Sequence, residues 1–187
     1  VKVRITAKAP STAEQPEHRL FERLVVAEAR ARLGDVVFSA DDESLEQAVL
    51  RLLGSTERTL ACAESLTGGG VGQRLTGVPG ASASFVGSAV VYTAEAKRQV
   101  LGVPDDVLAG GTVTEACALA MATGARDLYG VDVALALTGA AGPEPHDGAT
   151  PGTIWVAIAD ASGFTHARGF VSRGERDPYQ PAPEWDR

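Results

Sequence analysis

The segment TLACAESLTGGGVGQRLTG, residues 59–77, passes from an apolar run into three consecutive glycines within a few positions. A short apolar run bounded by turn residues predicts a buried strand, and we expect a helix to open from Ser65 onward. A strand followed by a glycine-rich helix start is typical of a layered α/β domain. Free N–H groups at a helix start favour negative charge. The segment is therefore either a phosphate-binding loop or a turn that presents Ser65 as a nucleophile.

Familiar phosphate-binding patterns are not matched here. The Walker pattern needs a lysine at the end of the loop, and none is present. The glycines at 68, 69, 70 and 72 do not fit the frame of the dinucleotide fingerprint. A generic anion site at the helix start remains open. So does the plainest alternative, because a serine that only caps a helix is far commoner than a nucleophile.

The segments after residue 43 alternate between strand and helix patterns. Thr93 is a candidate cap for a helix over 94–102, and Thr114 for an alanine-rich helix through Leu128 that ends at Gly130. A helix is also predicted over 44–55, with Gly54 as its stop. The predicted strands cover residues 59–63, 84–92, 131–139, 153–160 and 164–171, the last two as a hairpin. We predict an α/β fold, a layered domain with a mostly parallel, mixed sheet flanked by helices.

The ends of the chain have a different texture. Residues 1–42 alternate like a strand, then carry a helical stripe and the short apolar run DVVF, which predicts a small N-terminal β-α-β appendage. Because Val1 already lies in strand-like sequence, we expect the chain to be a piece of something longer. We divide it into this appendage at 1–42, the main domain at 43–172 and an irregular proline-rich tail at 173–187.

Composition narrows the class of protein. The net charge is −7, from 24 acidic and 17 basic residues, with no basic stripe, which argues against nucleic acid and acidic membranes as partners. No membrane-length apolar run or signal peptide is present, so we expect a soluble, cytoplasmic protein. Cys62 and Cys117 lie in apolar contexts and read as buried hydrophobes. Neither has a partner at metal-ligand spacing, so no metal site is predicted.

Lysine is rare, and its placement is informative. Only Lys2, Lys8 and Lys97 are lysines among the 17 basic residues. Lys97 is the sole lysine of the α/β part and follows Tyr92 by five positions. A desolvated lysine can act as a general base, which arginine cannot. An exposed helix lysine is the simpler interpretation of Lys97 alone, but with Ser65 and Tyr92 it supplies the parts of a serine/lysine hydrolase.

Histidine offers a competing base. His18 and His166 are predicted on the surface, whereas His146 stands beside Asp147 in a loop rich in glycine and proline. A Ser65-His146-Asp147 triad therefore stays open, although a histidine in such a loop is more often a turn residue. The same loop follows Thr138 and Gly139 at the end of a buried strand, where open α/β sheets place ligands. This loop is either one wall of a ligand-binding site or an ordinary surface loop.

Seven ordered motifs over about residues 45–172 carry a resemblance: AESLTGG, LTGVPGAS, VVYTAEAK, LGV, GTVTE, ALTGAAGP and PGTIWVAIA. Together they resemble the C-terminal domain of the competence/damage-inducible CinA family, which also occurs alone as nicotinamide mononucleotide deamidase. Residues 1–42 look like the end of the KH-like segment that precedes this domain in longer members. The chain departs from the family at Leu66, where cysteine is common, at Ala94, where asparagine is usual, and in its tail, which replaces a final helix.

The resemblance implies an amidohydrolase that converts nicotinamide mononucleotide to nicotinate mononucleotide and ammonia, in pyridine nucleotide recycling. By motif position, Ser65 is the nucleophile, Lys97 the base and Tyr92 a proton-transfer aid, with no cofactor or metal. Backbone N–H groups near Thr67 and Gly68 would hold the oxyanion. We expect the substrate to be bound by Glu64, Thr67, Gly68, Gly69, Thr138, Gly139 and Gly142.

Two further expectations and two alternatives accompany this assignment. An anionic substrate needs a positive site, for which Arg74 and Arg98 are candidates, and the family suggests a homodimer. The main alternative is a nucleotide- or partner-binding module linked to competence or DNA damage response, without turnover. The metal-dependent pyrophosphatase activity of longer members belongs to another domain, and no clustered carboxylates suited to it occur here.

Overall fold

The computed structural model describes Leu24 and residues 26–28, 30–32, 38–39 and 43–172, and the chain divides into two units, Val1–Ala48 and Val49–Arg187. In the first unit, residues 26–28 and 30–32 are helical, as predicted, and Arg32 pairs with Glu28 at 2.6 Å. The strand predicted at 1–9 falls outside the described residues, as do residues 35–37 of the strand predicted at 35–38. Phe38, the last residue of that second prediction, is described and lies in no strand. The tail predicted at 173–187 also falls outside them.

The second unit is built on a five-stranded sheet. Its strands are β1 (Leu60–Glu64), β2 (Phe85–Val90), β3 (Val133–Gly139), β4 (Thr153–Asp160) and β5 (Thr165–Val171). Their order is β2-β1-β3-β4-β5. β1 is parallel to both of its neighbours, whereas β4 and β5 run antiparallel. This confirms the predicted mixed sheet and its terminal hairpin.

Five helices accompany the strands between residues 45 and 171. They are α1 (Leu45–Ser55), α2 (Gly70–Thr76), α3 (Ala94–Leu101), α4 (Asp105–Ala109) and α5 (Glu115–Tyr129), with a 3₁₀ turn at Ala81–Ala83. Both predicted threonine caps are confirmed: Thr93 accepts from the Ala96 N–H and Thr114 from the Cys117 N–H, each at 3.1 Å. The short helix α4 and the 3₁₀ turn were not predicted. No helix among the described residues is long and apolar enough to cross a membrane.

The predicted helix start at Ser65 is wrong, because a turn separates β1 from α2. Gly68 and Gly69 have φ values of 59° and 98°, which a right-handed helix cannot include. The Gly68 N–H donates to the Ser65 carbonyl at 3.1 Å, closing the turn, and α2 begins only at Gly70. Ser65 therefore stands in a turn ahead of the helix instead of inside it.

The core is built around α5, most of whose buried side chains are small. Cys117, Ala118, Met121, Ala122 and Ala125 are fully buried at helical spacing and pack on the sheet. The predicted burial of both cysteines is confirmed. Burial, with the charge of Glu64, raises the pKa of Cys62 to about 12, and burial also raises the pKa of Cys117. Both thiols stay protonated at neutral pH and are poor nucleophiles.

Candidate active site

Ser65 lies at the carboxyl end of β1, the strand that β2 and β3 flank. The chain leaves β1 towards one neighbour and later returns to the other, so this end of the sheet is a topological switch point, where α/β folds bind ligands. The Ser65 N–H donates to the Leu137 carbonyl at 3.0 Å, and the residue is 6% exposed. The turn thus places a serine hydroxyl at the carboxyl ends of the parallel strands, where it is nearly shielded from water.

Lys97 reaches this hydroxyl from α3. Its Nζ lies 2.9 Å from Ser65 Oγ, 2.9 Å from the Val91 carbonyl and 3.3 Å from the Tyr92 carbonyl. The residue is only 1% exposed. An exposed helix lysine is therefore excluded, and the structure brings the two predicted residues into direct contact.

The same contacts fit a neutral lysine. A neutral amine has two N–H donors, which the Val91 and Tyr92 carbonyls accept, and one lone pair, which then faces the Ser65 hydroxyl. Burial lowers the pKa of Lys97, while the Cys117 thiol and the Asp147 carboxylate act in the opposite direction. Because no carboxylate bonds to Nζ in the described structure, desolvation prevails. The amine can accept the serine proton.

Main-chain contacts hold the serine and the lysine in register. The Glu64 carbonyl accepts from the Val91 N–H at 2.8 Å, and the Val91 carbonyl accepts from Lys97 Nζ. Glu64 immediately precedes Ser65, so a single residue beyond β2, Val91, connects both partners. The ends of β1 and β2 are therefore part of the site.

Glu64, predicted to bind substrate, has its carboxylate inside the protein. Its Oε2 accepts from Thr67 Oγ1 at 2.7 Å and the Val71 N–H at 2.9 Å, and its Oε1 from the Gly72 N–H at 2.8 Å and Ser88 Oγ at 2.7 Å. The residue is 0% exposed. Burial acts to raise its pKa, but the hydrogen bonds from Ser88, Val71, Thr67 and Gly72 together outweigh burial and lower it.

This carboxylate also bears on the phosphate-loop hypothesis. The Val71 and Gly72 N–H groups belong to the first turn of α2, the position where a loop of that kind would hold a ligand. Both donate to Glu64 instead. In the described turn the protein's own anion takes the place that the hypothesis gave to a phosphate.

Tyr92 contacts Lys97 through its backbone carbonyl. The residue is 68% exposed, and among the described residues the hydrogen bonds of Ser65 Oγ and Lys97 Nζ do not include its hydroxyl. The aid to proton transfer that we predicted for Tyr92 therefore stays a prediction, and a direct transfer between Ser65 and Lys97 needs no intermediary.

Thr138 and Gly139 end β3 beside the turn. The Thr138 hydroxyl is buried and donates to the Thr112 carbonyl at 2.7 Å. A Cβ atom at Gly139 would lie 2.6 Å from the Thr153 carbonyl oxygen and 2.9 Å from Leu66 Cδ1, so only glycine fits there. These two predicted residues form the wall next to residues 65–69, the turn that contains Ser65 and is called the serine turn below.

The loop after β3 is fastened through Thr112. The Asp147 carboxylate accepts from the Thr112 N–H at 2.7 Å and its hydroxyl at 2.6 Å. These two bonds, the side-chain one first, lower the pKa of Asp147. The predicted glycine Gly142 has φ 92° and packs against Pro151 in the same loop. The candidate binding wall is thus a fastened loop.

The charged alternatives are placed differently. His146 is exposed, and its Nε2 lies 3.7 Å from an Asp147 oxygen, while the hydrogen-bond partner of Ser65 Oγ is Lys97. The Ser-His-Asp triad is therefore not formed.

Arg98, a candidate for binding the substrate phosphate, pairs with Glu95 and is exposed. Within the described residues no group of three or more histidine, cysteine or acidic side chains is placed to hold a metal ion.

The turn after Ser65 also contains unpaired backbone donors. In the described part of the chain, the N–H groups of Leu66, Thr67 and Gly69 have no protein acceptor, whereas that of Gly68 is used within the turn. Leu66 and Thr67, which directly follow Ser65, are therefore candidate donors for an oxyanion.

Two residues of the site, Ser88 and Thr112, were not predicted from the sequence. No local pattern marks Ser88, because it contacts Glu64 from another strand. Thr112 could have been noticed, because it lies in the motif GTVTE.

Comparison with known proteins places these features in a family. A family model described as the CinA C-terminal domain matches residues 42–182. A CinA-like protein from Geobacter metallireducens is 49% identical over 150 residues, covering 79% of this chain and 36% of that protein. Another from Frankia casuarinae is 44% identical over 176 residues, covering 94% and 40%. The chain thus spans about two fifths of the length of the curated relatives that it matches.

Solved structures agree with this match. The crystal structure of the competence damage-inducible protein A (ComA) from Klebsiella pneumoniae is 36% identical, with a TM-score of 0.67, and the alignment covers 70% of this chain and 81% of that one. A CinA superfamily protein from Escherichia coli is 31% identical, also with a TM-score of 0.67, and the alignment covers 73% and 82%. The names of these proteins state no reaction.

Proposed function

The chain belongs to the CinA family, matching its C-terminal domain, and we propose that it is a serine/lysine amidohydrolase acting on nicotinamide mononucleotide. The products are nicotinate mononucleotide and ammonia. The observation that carries the proposal is the 2.9 Å contact between Lys97 Nζ and Ser65 Oγ, made by two residues that are almost completely buried. A buried amine whose pKa is lowered by desolvation is suited to activate a serine.

The first half of the reaction is acylation. Lys97, as the neutral amine, accepts the Ser65 proton while Oγ attacks the carboxamide carbon. The developing oxyanion is stabilised by the N–H groups of Leu66 and Thr67. Lys97 then returns the proton to the departing nitrogen, which leaves as ammonia, and the substrate acyl group remains bonded to Ser65.

Deacylation uses the same residues. Water attacks the ester carbon and gives one proton to Lys97, which passes it to Ser65 Oγ as the ester bond breaks. The balance is one carboxamide and one water converted to one carboxylic acid and one ammonia. The carbonyls of Val91 and Tyr92 fix the direction of the Lys97 lone pair.

The proposed substrate pose fills the space between the serine turn and the wall beyond β3. Gly139 keeps that wall close to Leu66, and the loop that Asp147 fastens bounds it. Thr67, Gly68, Gly69, Thr138, Gly139 and Gly142 keep their proposed roles as substrate neighbours, through backbone groups where their side chains are engaged or absent. The predicted homodimer and cytoplasmic location also belong to this proposal, and sedimentation velocity tests the former.

Ammonia release from nicotinamide mononucleotide tests the reaction. The Ser65→Ala variant is expected to lose activity by about 1,000-fold or more, because it removes the nucleophile. Ser84→Ala is the matched control, since Ser84 is another buried serine, just before β2, that contacts neither Lys97 nor the serine turn. Full turnover by Ser65→Ala would contradict the proposal. Calorimetric binding of the nucleotide with no ammonia release would favour a binding module instead.

A further inference from the structure

The buried carboxylate of Glu64 is not used by the reaction as described above. It sits one residue before Ser65, is 0% exposed, and has no cationic partner among the described residues. Removing a carboxylate from water is costly, so a fold retains one without a counter-charge only where hydrogen bonds compensate for the lost hydration. Here four donors do so.

The donors come from three segments that must meet for Ser65 to be placed. Thr67 lies within the serine turn, the Val71 and Gly72 N–H groups lie in the first turn of α2, and Ser88 lies on β2. Glu64 itself ends β1. Each oxygen takes one backbone N–H and one hydroxyl, so the carboxylate joins the turn and α2 on one side to α2 and β2 on the other.

We propose that Glu64 is a positioning residue that sets the placement of the Ser65 hydroxyl relative to Lys97 by tying the serine turn, α2 and β2 together. It touches neither the substrate nor the transferred proton. In respect of turnover, this inference rests on the proposed function. Gly72 fits this role. A Cβ at that position would lie 3.0 Å from Ser88 Cβ and 3.3 Å from Glu64 Oε1, so the absence of a side chain lets the carboxylate approach.

The substitution Glu64→Gln isolates the role of the second oxygen. The amide presents an NH₂ group to one pair of donors, and although a hydroxyl can rotate to become an acceptor, a backbone N–H cannot. One N–H of α2, at Val71 or Gly72, is then opposed by another donor. The turn must shift to relieve this, and a displacement of the nucleophile by about 1 Å is enough to reduce reaction by about 100-fold.

Ser88→Ala is a milder second variant. It deletes one hydroxyl donor to Glu64 without adding volume, and Ser88 lies within β2. Thr76→Val is its control, because the Thr76 hydroxyl bonds only to backbone carbonyls of α2. We expect a loss of about tenfold for Ser88→Ala, since hydrogen bonds to a charged group are the stronger ones. No loss is expected for Thr76→Val.

The test has two readouts, applied to variants whose fold is verified by circular dichroism. The first is the rate at which a fluorophosphonate labels Ser65, measured by peptide mass spectrometry, which needs no knowledge of the natural substrate. The second is kcat and KM for ammonia release from nicotinamide mononucleotide. We expect slower labelling and a lower kcat in Glu64→Gln and Ser88→Ala, with KM unchanged.

Several results would overturn the inference. A folded Glu64→Gln labelled at the wild-type rate would do so, as would a raised KM at unchanged kcat, which indicates direct substrate binding. If Glu64→Gln does not fold, wild-type labelling of Ser88→Ala overturns it. An unlabelled wild-type Ser65 also overturns it, because no positioned nucleophile then exists. Failure of the proposed function is separate: the wild type would label at Ser65 yet release no ammonia.

Discussion

At the scale of single residues, the proposed reaction depends on the protonation of Lys97. Its three acceptors could satisfy an ammonium ion, with Nζ donating to Ser65 Oγ, or a neutral amine, with the direction of that bond reversed. Only the neutral form can activate the serine. The burial that lowers the pKa of Lys97 therefore favours the reactive form, and a residue on the surface would lack this advantage.

The pH dependence of activity follows. We expect kcat/KM for ammonia release to rise with pH through an apparent pKa below the ordinary value of lysine, because the free enzyme must lose the Lys97 proton. A pH profile measured from pH 5 to 10 checks this. A profile that falls over the range in which Lys97 deprotonates would contradict the base assignment.

Stability changes with pH in the same window. Because the folded-state pKa of Lys97 is lowered, the unfolded chain binds more protons between that pKa and the ordinary lysine value. The free energy of unfolding attributable to Lys97 therefore rises with pH across the window and is constant below it. Urea unfolding at a series of pH values measures the free energy of unfolding of the wild type minus that of Lys97→Met. We expect this difference to rise with pH across the window, and a fall would contradict the lowered pKa of Lys97.

Residue chemistry was partly predictable from the sequence. Ser65 and Lys97 could be paired because lysine is so rare in the α/β part and because the motifs around both are distinctive. The partners of Glu64 could not be predicted, since Ser88 reaches it from another strand. The exposure of the Tyr92 side chain also has no local signal, because the sequence does not tell which way the chain turns after β2.

At the scale of elements, close helix contact depends on one glycine in α5. A Cβ at Gly124 would lie 2.0 Å from the Leu101 carbonyl oxygen, a backbone atom at the end of α3. The alanine would gain about 1 kcal/mol in helix propensity. Overpacking against the backbone exceeds this, so we expect Gly124→Ala to lower the free energy of unfolding by a net amount of about 2 kcal/mol.

Urea unfolding at neutral pH checks this expectation. Thr123→Ala, at the neighbouring exposed position of the same helix, is the control and should change stability by less than about 0.5 kcal/mol. Equal or greater stability of Gly124→Ala would show that α3 can move away from α5 at little cost. The contact between α3 and α5 would then not require glycine at position 124.

A second element, the loop after β3, is fastened by Thr112. Thr112→Val keeps the backbone donor to Asp147 but removes the hydroxyl donor. Because hydrogen bonds to a carboxylate are comparatively strong, we expect faster proteolytic cleavage within residues 140–152 and a KM raised by up to about tenfold. Limited proteolysis and steady-state kinetics measure the two effects.

Ser162→Ala provides the matched control. The Ser162 hydroxyl also donates to a carboxylate, that of Asp160, at 2.6 Å, but in the exposed turn between β4 and β5. It should leave KM and cleavage of the loop unchanged. An unchanged KM in Thr112→Val would show that the fastened loop does not form part of the binding wall.

Helix and strand positions were largely predictable, and the exceptions have physical causes. Threonine caps predicted α3 and α5, and two adjacent strand-like segments predicted the hairpin of β4 and β5. The start of α2 was misplaced because the glycines were assigned to a helix, while Gly68 and Gly69 adopt positive φ. The sequence permits either conformation at glycine, and tertiary contacts select one.

At the scale of the whole molecule, the switch point of the sheet explains why distant motifs converge. β1 lies between β2 and β3, so the serine turn, the approach to α3 and the wall after β3 all meet at one edge. Alternation of strands and helices predicted this architecture, and the ordered motifs predicted the family. The distances that make the edge reactive depend on packing across strands, which no single segment encodes.

The rate of ammonia release from nicotinamide mononucleotide by Lys97→Met, relative to wild type, tests whether Lys97 activates Ser65. Methionine keeps a long unbranched side chain but has no basic nitrogen, and Gln99→Met is the control on an exposed position of α3. We predict that the wild type and Gln99→Met release ammonia, and that Lys97→Met, with its fold intact, is slower by at least about 100-fold. Undiminished release by a folded Lys97→Met would contradict the claim that Lys97 activates Ser65.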